Sequence, residues 1–108
     1  MERLSGLDGV SWQKIPAHGT PAPSLLTGVL KGMDRAAFLK KLSEAAVDSG
    51  IYYPKPLHKQ PVFERLSPGA ACPKAEAVCE KVFSLPTHHA LTGGQMEYMA
   101  DRVREALA

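Results

Sequence analysis

Tyr53, His58, Lys59 and Gln60 lie close together and bring a phenol, a titratable imidazole, a cation and an amide to one short stretch. Such a set serves contact with a ligand or a partner. The stretch that carries them is Gly50-Ile-Tyr-Tyr-Pro-Lys-Pro-Leu-His-Lys-Gln-Pro61. Gly50 frees the backbone for a turn, and Ile51, Tyr52 and Tyr53 have the branched and aromatic side chains that favour a strand. Pro54 and Pro56 end any ladder, because each removes a donor and pins its own φ. Each also pushes its predecessor towards extended geometry. The expected result is a strand running into a rigid extended arm that holds the four side chains in fixed directions. The residues alone leave open whether His58 faces a ligand or packs structurally.

Other chemistry is poorly supplied. His88 and His89 are adjacent, so both rings do not readily face one metal, and no third ligand has a suitable spacing; they read as a solvated turn, and His18 as an exposed loop residue. No serine sits in a nucleophile elbow. Gly93-Gly94 opens a helix, but a capping box accounts for it without a bound phosphate. Cys72 and Cys79, if on one helix, stand about 10 Å apart at ~1.5 Å rise per residue, too far for a disulfide, and read as free thiols.

The totals bound the rest. One domain fits 108 residues, and 44% hydrophobic content suffices for a modest core. The formal net charge is +2, with basic residues scattered among acidic ones, so nothing marks a nucleic-acid or anionic membrane surface. No apolar run approaches the roughly 20 residues of a membrane span. The start, Met1-Glu-Arg-Leu-Ser-Gly, lacks the apolar stretch of a signal peptide, and a cytoplasmic location is expected.

The elements that must position the arm are legible in outline. Residues 2–4 read as the end of a helix stopped at Gly6 and Asp8-Gly9. Residues 10–15 and 25–30 read as strands, with Val10 and Trp12 sharing one face and Gly28 a weak point in the second. Residues 16–23 are a proline- and glycine-rich loop. Asp34 is placed to cap a helix over 35–46, whose apolar face is Phe38, Leu39, Leu42, Ala45 and Ala46. Residues 47–53 return as an extended segment. Residues 62–66 suit a short turn of helix. Ala75, Val78, Cys79, Val82 and Phe83 recur at helical spacing after Pro73 and predict one buried helix face, with residues 84–86 extended beyond it. Thr92 and Gln95 form a T-x-x-Q capping box flanked by Leu91 and Met96; Met96, Met99, Ala100, Val103 and Leu107 stripe the last helix as core. The order strand, strand, helix, strand predicts an α+β fold, a small antiparallel or mixed sheet with a helix across one face.

Read as a whole, residues 50–61 resemble the G-(V/I)-x-Y-P-x-P-L-H-x-Q-P segment of the DegT/DnrJ/StrS family, pyridoxal-phosphate-dependent aminotransferases that act mostly on nucleotide-linked keto sugars. Ser84-Leu-Pro-Thr-His88 resembles the family's S-L-P-x-H stretch. Leu91-Thr92 and the closing helix are similar to its final helix, and Asp34-Arg35 with Phe38-Leu39 to the helix before the arm. The resemblance covers residues 4–107. It implies the C-terminal small domain of a fold-type I aminotransferase, with residues 1–108 as a single domain and the large cofactor domain absent. No lysine here matches the family's aldimine lysine, so the implied chain binds no cofactor by itself and is not a catalyst alone, pyridoxal phosphate belonging to complete members. The resemblance also implies that Tyr53, His58, Gln60 and Lys59 lie nearest a nucleotide sugar or a partner subunit, in a homodimer or beside a partner aminotransferase domain. This sequence departs from the family pattern at Ser24-Leu-Leu-Thr-Gly28, where an aromatic or histidine-rich strand is usual, and at Ala46, where a helix-ending glycine is common. The alternative from a different class is a stand-alone binding module that keeps the nucleotide-sugar or dimer surface without catalysis; a third is a remnant with no ligand. A separated small domain is expected to expose apolar surface and to associate.

Overall fold

The computed structural model describes residues 2–108. Its sheet has three antiparallel strands in the order β1 (Val10–Trp12), β2 (Leu25–Leu30) and β3 (Val82–Pro86). Gly28 of β2 stands between Trp12 and Phe83 in register, and Leu26 pairs with Leu85. Alternation along the strands therefore sends Val10, Trp12, Leu26, Leu30, Phe83 and Leu85 to one face. Helices α1 (Arg35–Glu44) and α4 (Gly93–Leu107) pack together, and Phe38, Leu42, Met99, Ala100, Val103 and Ala106 join those sheet residues in one core cluster. The α+β class and the helix-covered sheet are as the sequence implies, and the sheet is antiparallel.

The caps are where the sequence places them. Asp34 Oδ2 accepts from the Ala37 amide at 2.8 Å. Thr92 and Gln95 complete a reciprocal box at 2.9 and 3.2 Å, satisfying two donors that the helix start leaves unpaired. Met96, expected in the stripe of α4, is exposed instead, and Ala106 is buried in its row. The two helices are also tied end to end: Lys41 Nζ donates to the Ala106 carbonyl at 3.1 Å and the Tyr98 hydroxyl to the Ala45 carbonyl at 2.9 Å.

At the end of α1 the Val47 amide reaches back to the Leu42 carbonyl and the Ala46 amide to that of Ser43. This double bond pattern puts the residue after the cap in the left-handed region, and Ala46 has φ 56° there. The departure from the family's usual glycine thus falls on the one described non-glycine residue with positive φ. Ala46→Gly is expected to stabilise the fold by about 0.5–1 kcal/mol, by removing the Cβ strain at the cost of a more flexible unfolded chain. Urea denaturation checks this, and an unchanged or lowered midpoint would contradict it.

Several expectations need correction. Residues 47–53 do not form a strand: one bridge joins Gly50 to Ser84, because the prolines that follow leave no ladder to extend. The third strand is β3, and it takes Val82 and Phe83 from the predicted helix. Helix α3 (Pro73–Lys81) stops at Lys81, and none of its own residues is buried, Ala75, Val78 and Cys79 included. The first strand ends at Trp12 rather than at residue 15, and residues 2–4 are a 3-10 turn.

Candidate functional site

The arm leaves the sheet edge at Gly50. Gly50 and Ser84 exchange both backbone hydrogen bonds, at 2.9 and 2.8 Å. A Cβ at Gly50 would lie 2.6 Å from Cε2 of Tyr52, whose exposed ring folds back over it and would have to swing aside. Tyr53 meets the Tyr52 ring edge-on, centroids 5.7 Å apart, and is 69% exposed. Beyond Pro54 and Pro56 the chain does not stay extended. It coils into a 3-10 turn, Leu57–Lys59, and then α2 (Pro61–Leu66). His58 and Lys59 sit on that turn. Gln60 links it to α2, its backbone carbonyl accepting from the Phe63 and Glu64 amides while its side-chain amide donates weakly to the Lys55 carbonyl at 3.4 Å.

His58 is mostly enclosed, its side chain 13% exposed, and its Nε2 lies 2.7 Å from Oε1 of Glu76 on α3. An ionised carboxylate only accepts, so Nε2 carries the hydrogen and Nδ1 is left for another contact. The same Oε1 accepts from the Cys72 amide at 3.2 Å. Both bonds favour the charged carboxylate, the His58 bond most, with Lys59 adding a smaller attraction, and together they hold Glu76 below its ordinary value of 4.5. A lowered carboxylate contributes at full strength above that ordinary value, and the contribution disappears as pH falls through the lowered one. The His58–Glu76 tie is therefore expected to survive mild acid and to fail only below the ordinary carboxylate range. The His58 ring resonances followed against pH check this; a loss of the tie near neutral pH would contradict it.

The structure thus brings His58, Lys59 and Gln60 together around one turn and leaves Tyr53 apart on the exposed approach to it. The residue that sequence reasoning missed is Glu76, which stands 18 positions from His58. Its one local sign is an acidic residue in the first turn of α3.

No closed ligand cavity accompanies the arm among the described residues. A recess of about 140 Å³ at its base is bounded by Asp48, Ser49, Gly50, Tyr52 and Ser84. A cleft of about 310 Å³ opens elsewhere, in the loop between β1 and β2. Ligand pockets usually run to roughly 300–1,000 Å³, so the recess at the base of the arm falls below that range. Every lysine but the half-buried Lys59 is exposed. A Schiff-base lysine must be held against the cofactor aldehyde in an enclosed site, so the residues present do not fit pyridoxal phosphate. Leu57, Val62, Phe63, Leu66 and Val78 present exposed apolar surface on the arm, α2 and α3.

The DegT/DnrJ/EryC1/StrS aminotransferase family model matches residues 2–104. This chain belongs to that family. The solved structure of S. venezuelae DesV in complex with a ketimine intermediate superposes with a TM-score of 0.87 at 27% identity, covering 98% of this chain and 28% of DesV. The aminotransferase TlmJ from Streptoalloteichus hindustanus gives 0.83 at 26% identity, with the same coverage of 98% and 28%. A pleiotropic regulatory protein of Geobacillus stearothermophilus is 37% identical over 70 residues, which are 64% of this chain and 18% of that protein. The chain therefore spans between 18% and 28% of the length of these relatives. In the described residues of this family member, no helix is long and apolar enough to cross a membrane.

Proposed function

We propose that this chain is the C-terminal small domain of a pyridoxal-phosphate-dependent aminotransferase acting on nucleotide-linked keto sugars, and that it is not a catalyst alone. The observation that carries the reading is coverage: 98% of this chain lies on 28% of DesV. In this reading the cofactor and its lysine come from a large domain, and the turn of His58, Lys59 and Gln60, approached past Tyr53, closes one side of the substrate cleft. His58 presents Nδ1, which accepts from a sugar hydroxyl when neutral and donates to a phosphate oxygen when protonated. Lys59 adds positive charge on the same side. The exposed apolar residues of α2 and α3 would meet the large domain or a partner subunit, and a cytoplasmic location accompanies the reading.

The test is to join this chain to the upstream part of DesV, in place of DesV's matching segment, and assay transamination of a nucleotide-linked keto sugar. Activity of the joined protein, absent from either part alone, is the expected result. Turnover by the isolated chain would overturn it. The stand-alone binding module is favoured by a separate observation, the buried core that the chain completes from its own residues. Calorimetry of the isolated chain with a nucleotide sugar separates the two, because only the module reading expects binding there.

A further inference from the structure

The segment between the sheet edge and α3 is attached unusually sparingly. Its hydrogen bonds run inward: Lys59 to Pro56, Gln60 to Leu57, Phe63 and Glu64 to Gln60, Ser67 to Phe63, Ala70 to Ser67, and the Gln60 side chain to Lys55. Among the described residues, the one hydrogen bond from residues 51–71 to the rest of the chain is His58 to Glu76. Packing adds little, since α2 rests chiefly on the 3-10 turn of its own segment, and residues 61–69 are all exposed. The molecule is correspondingly long, 48 × 35 × 25 Å, with a radius of gyration of 15.6 Å, against about 13 Å for a compact chain near this length.

We propose that Glu76 is the positioning residue of the arm: its carboxylate, fixed at the start of α3 by the Cys72 amide, holds His58 and through it the whole of residues 51–71. The geometry suits the task. One oxygen takes both donors, so the arm is referenced to the backbone of α3 rather than to a free side chain. The carboxylate also lies at the helix N-terminus, where the backbone dipoles favour negative charge. His58 is met at this point by Glu76, and Lys59, from the same turn as His58, adds a smaller attraction to the Glu76 carboxylate. Glu76 further selects which ring nitrogen of His58 is free, so it determines the chemistry that the arm can offer as well as its place. This inference concerns the arm's attachment and does not depend on what the arm contacts.

The experiment measures backbone ¹⁵N order parameters over residues 51–71, together with the His58 ring nitrogens, in the full chain. The variants are Glu76→Ala, Glu76→Gln, His58→Ala and the Glu76→Ala/His58→Ala pair. The wild type is expected to show an arm near the rigid value of about 0.85, and Glu76→Ala one that falls towards or below about 0.6, with α1, α4 and the sheet unchanged. Glu76→Gln keeps an acceptor oxygen and should restore part of the order and the Nε2–H signature of His58. The double variant should match the single ones, since all three break one tie. A mobile arm in the wild type, an arm still rigid in Glu76→Ala, or losses that add in the double variant would each overturn the proposal. Should Glu76→Ala fail to fold, Glu76→Gln and His58→Ala carry the same comparison.

Discussion

Phe83→Ala is expected to cost about 3–5 kcal/mol of unfolding free energy. The ring is fully buried and meets Phe38 edge-on at 4.8 Å and Trp12 at 5.8 Å between centroids. It therefore links α1 to both outer strands through one side chain. Its removal forfeits the transfer of a large apolar surface and the two aromatic contacts, and leaves a cavity that β3, paired along its length with β2 and bridged at Ser84 to Gly50, does not collapse to fill. Small domains hold roughly 5–15 kcal/mol in total, so the variant is expected to lose a large part of its stability. Urea denaturation read by Trp12 fluorescence measures it. A loss under about 1 kcal/mol would mean that the aromatic cluster is not the keystone its burial suggests.

Gly28→Ala should destabilise by about 1–3 kcal/mol, although alanine is ordinarily the better residue inside a strand. A Cβ at position 28 would stand 2.8 Å from Cγ1 of Val10, 2.9 Å from Cζ3 of Trp12 and 3.0 Å from Cε1 of Phe83. These are side-chain ends, but Val10 and Phe83 are locked in the core and Trp12 is tethered by its indole hydrogen bond to the Leu4 carbonyl at 3.0 Å. The two substitutions should not add. With Phe83 cut to alanine, one of the three obstacles is gone and the new methyl enters vacated space. The double variant is expected to be more stable than the sum of the single losses by at least about 0.5 kcal/mol. Strict additivity in the same denaturation series would show that the two positions do not share space.

Those two residues also show what sequence could and could not carry. Gly28 is visible as a break in an apolar strand, but its purpose depends on rings supplied by the strands on either side. Val82 and Phe83 continue the helical spacing of Val78 and Cys79 equally well as they begin a strand. Pairing with β2 decides the matter, and no local signal announces it. The caps at Asp34 and Thr92 were legible because their bonding partners lie three residues away. Gly50 to Tyr53 has the opposite character: local β preference is strong, but pairing with the edge of β3 stops at the single Gly50–Ser84 bridge, because the prolines that follow end the ladder. Of the arm residues, position along the chain marked out Tyr53, His58, Lys59 and Gln60. Their backbone form was misread, and Glu76 was missed because a helix distant in sequence brings it to His58.

The direct passage from α3 into β3 has a mechanical consequence. Lys81 ends the helix and Val82 begins the strand with no residue between them, and the Arg35 guanidinium clamps the join through the carbonyls of Cys79 and Val82. The helix cannot rotate about its own axis unless the strand rolls with it. One residue inserted at this point would turn α3 by about 100° against the sheet, carrying Glu76 away from His58, or else exchange the inward and outward sides of β3. The linkage acts as a fixed gear, in which the pleat of a buried strand sets the angle at which a surface helix offers its carboxylate.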